Sequence, residues 1–101
     1  ENAIHHLTDV PARLFGLRDR GRIAEGWMAD VVLFDPDTVG ATDVELVFDL
    51  PGDSKRLWSE AIGIRRVLVN GVTTVVDGVA TDALPGTVLR SGTDTDTVAV
   101  G

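Results

Sequence analysis

The chain has no cysteine among its 101 residues, which excludes a disulfide framework, a thiolate nucleophile and a zinc–thiolate site. Histidine is scarce too: the two present are neighbours, His5 and His6. Basic residues are few, with nine Lys plus Arg against sixteen Asp plus Glu and a formal net charge of −7. A phosphate backbone would meet net repulsion rather than release of counterions, so no nucleic-acid partner is expected. Tyrosine is absent, and three Phe with two Trp leave aromatic stacking a minor theme. No apolar run approaches the roughly 20 residues that span a bilayer, and the opening Glu1-Asn2-Ala3-Ile4-His5-His6 lacks the basic and apolar regions of a signal peptide. A cytoplasmic setting without a membrane partner is the expectation. The first residue is Glu rather than Met, which suggests the end of something longer.

What remains is 44% hydrophobic, dominated by Val, Ala and Leu. A chain of this length can bury one modest core, so two independent domains are not expected. Ala3, Ile4, Leu7, Pro11, Leu14 and Phe15 recur at the three- and four-residue steps of one helical face. Pro11 is accepted only in a first helical turn, so the stretch divides into two helices near Thr8-Asp9, and Gly16 stops the second.

The run Asp30-Val31-Val32-Leu33-Phe34-Asp35 reads as a strand, and its unbroken apolar centre fits a strand covered on both faces. From Asp37 to Gly63 the pattern is irregular, a long excursion that needs something to pack on, with a short strand possible at Val44–Phe48. Asn70-Gly71 between Ile64–Val69 and Val72–Val76 predicts a hairpin with a type I′ turn. Asp77-Gly78 and Pro85-Gly86 predict further turns. The polar residues 91–101 predict a disordered tail.

The ordered set Leu7-Thr8-Asp9-Val10-Pro11-Ala12-Arg13-Leu14-Phe15-Gly16-Leu17, Gly21-Arg22-Ile23-Ala24-Glu25-Gly26, Ala29–Asp35, Val67-Leu68-Val69-Asn70-Gly71, Val75-Val76-Asp77-Gly78 and Leu84-Pro85-Gly86-Thr87-Val88-Leu89-Arg90 resembles the C-terminal end of the amidohydrolase superfamily. Arg18-Asp19-Arg20-Gly21 and the Pro-Gly-Thr-Val-Leu-Arg ending look most like N-acyl-D-amino-acid deacylases, while dihydroorotases, hydantoinases and deaminases share the general plan. The resemblance implies an α+β fold, mainly β with an N-terminal helix. Residues 1–16 would be the last helical segment of a (β/α)₈ barrel, residues 17–90 a small β-sandwich-like domain, and residues 91–101 the tail. It implies a parent that hydrolyses carbon–nitrogen bonds with zinc, held by a His-x-His, a bridging carboxylated Lys or Glu or Cys, further His and an Asp. None of these falls on this chain, so no catalytic, cofactor-binding or metal-binding residue is assigned. The partners implied are the missing barrel and N-terminal strands, with a homodimer or domain swap in their absence. An independent β-sandwich module for protein binding or assembly is the alternative from another class.

Several residues invite sharper readings. His5 and His6 sit about 100° apart on a helix, unlike an i, i+4 metal pair, and are read as surface or packing residues. Asp35 and Asp37 flank Pro36 and are read as turn acceptors rather than paired acids. Asp94 and Asp96 lack the Gly and distal Glu of a calcium loop. Trp27 and Trp58 are read as docking residues for a missing barrel. Gly21 and Gly26 form no phosphate loop, because no Gly-Lys-Ser/Thr follows.

Overall fold

A computed structural model describes residues 1–99. Two short helices, α1 (Asn2–Leu7) and α2 (Asp9–Leu14), open the chain. They part at Thr8, whose backbone (φ −124°, ψ −81°) is not helical and whose hydroxyl donates back to the Ile4 carbonyl at 2.7 Å. Gly16 ends α2 as the spacing predicts. With φ +66° it lets its own N–H reach the Arg13 carbonyl at 3.2 Å and the Leu17 N–H reach that of Ala12 at 2.8 Å, a Schellman motif that satisfies two end carbonyls.

The central element is a four-stranded antiparallel sheet of order β1-β6-β7-β8. Its strands are β1 (Val31–Phe34), β6 (Ile64–Val69), β7 (Val72–Val76) and β8 (Val79–Ala80). Val69 faces Val72 across the Asn70-Gly71 turn, where φ is +50° and +80°, the two positive values of a type I′ hairpin. Asp77-Gly78 repeats the device between Val76 and Val79, at φ +46° and +82°. Register shifts between Leu33 and Phe34 and between Val67 and Leu68 bulge the ladder and add twist.

The irregular excursion resolves into one nested ribbon. β2 (Gly40–Ala41) pairs with β5 (Ala61–Ile62), and further out β3 (Glu45–Val47) pairs with β4 (Arg56–Trp58). Between the two ladders Thr42 and Ser59-Glu60 exchange four bonds. The Thr42 N–H donates to the Glu60 carbonyl at 2.9 Å, the Ser59 hydroxyl to the Thr42 carbonyl at 2.8 Å, and the Glu60 N–H to Thr42 Oγ1 at 2.9 Å, while the two hydroxyls meet at 3.5 Å. A 3₁₀ turn, Pro51–Asp53, makes the tip. Near it Arg56 lies over the Trp58 ring at 4.5 Å and pairs with Asp49. At the base a side chain on Gly63 would stand 2.6 Å from the Val39 nitrogen, and φ there is +76°, so glycine is what lets the two ends of the ribbon meet.

The 91–101 expectation falls partly on residues 100 and 101, outside the described ones. Within it, Asp96 N–H donates to the Gly16 carbonyl at 2.8 Å and Thr95 bridges Leu17. The contacts of these polar residues are hydrogen bonds rather than buried apolar surface.

Burial is where the chain departs most from its composition. Ala12, 4% exposed, is the one buried apolar residue of the core among the described residues. The accessible surface is 8159 Å², whereas a folded monomer of this mass has about 5,500 Å². The radius of gyration is 16.6 Å against roughly 13 Å for a compact domain of this length. Strand β1 is not covered on both faces: Val32 and Phe34 on one side and Leu33 on the other are 52%, 39% and 49% exposed. The reason is that no second layer packs on the sheet among the described residues. The sandwich-like character expected of the module is present as a sheet and a ribbon, not as two stacked sheets.

The positive φ at Gly71 gives a direct check on the hairpin. Gly71→Val should destabilise the chain by on the order of 1–3 kcal/mol through backbone strain, although the added side chain meets open space. Gly86→Val, also in open space and without a positive φ, should change little. Equal melting temperatures for the two variants would refute the type I′ assignment.

Candidate functional site

The residues singled out in the sequence do not converge. The His5 and His6 rings are 5.8 Å apart and tilted by 55°. His5 Nδ1 lies 3.8 Å from Asp9 Oδ2, but Arg13 Nε holds that oxygen at 2.9 Å. Asp35 Oδ1 accepts from the Asp37 N–H at 2.9 Å, the turn role read for it. Asp94 accepts from the Arg90 N–H at 2.8 Å, and Asp96 from Arg18 Nε at 2.7 Å. Trp27 carries the Arg22 guanidinium 4.7 Å from its ring centroid. Gly21 packs so tightly on α2 that a side chain would come 2.5 Å from Ala12 Cβ. Among the described residues no group of three or more His, Cys, Asp or Glu could hold a metal ion, so the residues present do not fit zinc.

Two other features do have geometry. Between α1, the Gly21–Ile23 stretch and β1 lies an open groove of about 860 Å³, lined by Ile4, Leu7, Ile23, Val32 and Phe34, with Asp9 and Asp30 among its polar walls. It offers a mainly apolar seat, and of the polar residues that line it His5 and Asp9 stand close together, with Arg13 bound to the same Asp9 oxygen.

Beside it is a polar lock that joins three segments distant in sequence. Asp30 Oδ1 accepts from the Asn70 N–H at 2.8 Å, and Oδ2 pairs with Arg20. Arg20 also donates to Asn70 Oδ1 at 2.9 Å. Asn70 in turn donates from Nδ2 to the Pro85 carbonyl at 2.8 Å, while the Gly71 N–H reaches the Ala29 carbonyl at 3.0 Å. Burial, the largest single influence, pushes the Asp30 carboxyl up, but the Asn70 amide and the Arg20 guanidinium together outweigh it and leave the group below its ordinary value. Asp49, on the ribbon, is likewise held low, there by its hydrogen bonds from Arg56.

Sequence reasoning missed this lock. In the sequence Asn70 signals only a turn and Arg20 only a family resemblance, although an Asn carries a side-chain amide with donors and an acceptor of its own.

Because the folded value at Asp30 is depressed, its contribution is complete above the ordinary aspartate value of about 4 and lost as the pH falls through and below it. Asp30→Asn should lower the melting temperature at neutral pH and flatten its decline below about pH 4. Superimposable acid limbs for the two proteins would show that Asp30 does not hold these segments together.

The profile of the amidohydrolase family matches residues 1–79. The chain is 42% identical over 90 residues to an N-acyl-D-glutamate deacylase of Alcaligenes xylosoxydans xylosoxydans, covering 89% of this chain and 16% of that protein. It is 41% identical over 93 residues to an N-acyl-D-aspartate deacylase of the same organism, covering 91% of this chain and 17% of that one. A D-aminoacylase, again of that organism, is 39% identical over 71 residues, or 70% of this chain and 13% of its own length. The chain thus spans less than a fifth of each of these relatives. No solved structure gives a significant match. No helix of the described residues is long and apolar enough to cross a membrane. A profile covering most of the chain, with relatives 39–42% identical over 70–91% of it, establishes that the chain belongs to the amidohydrolase family.

Proposed function

We propose that this chain is a non-catalytic, C-terminal structural part of a zinc-dependent amidohydrolase that hydrolyses the carbon–nitrogen bond of linear amides, N-acyl-D-amino acids in particular. Its role is to brace the catalytic barrel, with α1 and α2 as the end of that barrel and the sheet as the module beside it. One observation carries the reading. A chain similar over 89% of its length to a deacylase of which it covers 16% leaves 8159 Å² of surface accessible and, among the described residues, one apolar core residue buried, so its apolar groups await a cover. Val32 and Phe34 in the groove, with Trp27 and Trp58, are the residues proposed to meet it. A cytoplasmic setting belongs to the same proposal and is compatible with the cysteine-free composition.

The test compares parent and isolated chain. The parent should release the amino acid from N-acetyl-D-glutamate and hold zinc, whereas the isolated chain should do neither. Phe34→Asp should lower the melting temperature of the parent and leave that of the isolated chain, held dilute enough to be monomeric, unchanged, because the proposed contact exists only in the parent. An equal shift in both would sink the bracing role and favour a self-sufficient binding module.

Alone, the chain should cover its apolar surface with a second copy, as a homodimer or a domain-swapped pair using the free edge of β1, the helix faces or both. Sedimentation velocity over a range of concentrations measures this. A monomer that persists at high concentration with a cooperative thermal transition would overturn it.

A further inference from the structure

Neither helix packs extensively on any strand, so something other than a shared core must set the helical pair against the sheet. The covalent link is the segment between Gly16 and Asp30, and it contains Arg18-Asp19-Arg20. The two arginines work in different places. Arg20, 15% exposed, holds Asn70 at 2.9 Å, and Asn70 holds the Pro85 carbonyl at 2.8 Å. Arg18 holds the far end of the same C-terminal segment: Nε meets Asp96 Oδ1 at 2.7 Å, one NH₂ group the Thr95 carbonyl at 3.2 Å and the other the Thr93 carbonyl at 3.5 Å.

Between those fastenings the segment shapes itself. Residues 90–95 close a turn in which the Arg90 N–H donates to Asp94 Oδ2 at 2.8 Å and the Gly92 N–H to Thr95 Oγ1 at 2.9 Å. The backbone then docks on the Schellman turn of α2. Asp96 N–H meets the Gly16 carbonyl at 2.8 Å, and a side chain at Gly16 would stand 2.0 Å from the Asp96 carbonyl oxygen. Val98 follows along α2, where it shares a shallow cleft with Val10 and Leu14.

We propose that residues 85–98 form a strap, fastened by Asn70 at one end and by Arg18 at the other, that fixes the helical pair relative to the sheet. The strap is a positioning device. Arg18 is its buckle because a planar guanidinium can address a carboxylate and two carbonyls at once, which the single point charge of a lysine does not reproduce. Both halves of Arg18-Asp19-Arg20-Gly21 are thereby used, one for each end of the strap.

Amide hydrogen exchange on the 101-residue chain tests this, comparing the amides that bond to α2 carbonyls or close its C-terminal turn, Ala12, Phe15 and Leu17, with those of the β6–β7 hairpin. Arg18→Ala and a chain ending at Arg90 should each speed exchange in α2 by about tenfold or more while the hairpin changes by less than about twofold. Arg18→Lys should fall nearer to Arg18→Ala than to the intact chain. Unchanged α2 protection in the shortened chain would overturn the proposal. So would an α2 already unprotected in the intact chain, or a hairpin that opens together with α2, since residues 91–98 would then be part of one cooperative unit and not a strap.

Discussion

The Asp30 carboxylate is the point on which the arrangement of this chain turns. One oxygen takes the backbone N–H of Asn70 and the other the guanidinium of Arg20. Those two bonds bring together the linker from the helices, the entry to β1, the hairpin tip and, through Asn70, the start of the C-terminal segment. In a protein with a large core such a network would refine an arrangement already set by packing. Here it substitutes for packing. Exposed ion pairs taken singly contribute little, but this one is partly buried, shares its acceptor with a backbone amide and is braced by a second side chain, conditions under which networks exceed the sum of their pairs.

The same shortage of burial explains how the strands behave. The ladder from β1 to β8 satisfies its inner backbone groups, and two type I′ turns set the register of β6, β7 and β8, while β1 joins β6 from a distant part of the chain. Its faces remain open. A sheet is stable when something apolar lies on one face, and here the residues suited to that purpose, Val32, Leu33 and Phe34, look outward. On the reading proposed above, these residues keep the chemistry of a contact made with the rest of a longer chain.

The local elements were legible in the sequence because their signals are local. Pro11 and Thr8-Asp9 marked the helix break, Gly16 the stop, and Asn70-Gly71 and Asp77-Gly78 the hairpins, each through a backbone conformation that few residues adopt. The Val31–Phe34 strand was legible as a strand, but its burial was misjudged: an apolar run reports a demand for cover and says nothing of whether the cover belongs to the same chain. The ribbon between Gly40 and Ile62 was only half visible, since its nested pairing joins residues of little apolar contrast. The polar lock and the docking of residues 91–98 were not legible at all. Both depend on side chains meeting backbone atoms 40 to 77 positions away, and no periodicity records such meetings.

The base of the ribbon carries a different consequence. Val39 and Gly63 touch, and Asp35 N–H is bonded to the Gly63 carbonyl at 2.9 Å, so the chain leaves and re-enters the sheet at a single point. Whatever lies between is topologically a side branch. Residues 40–62 of this chain can therefore be lengthened or shortened without disturbing the pairing of β1 with β6, because closing a longer loop costs only slowly more entropy. The ribbon is a graft site built into the sheet.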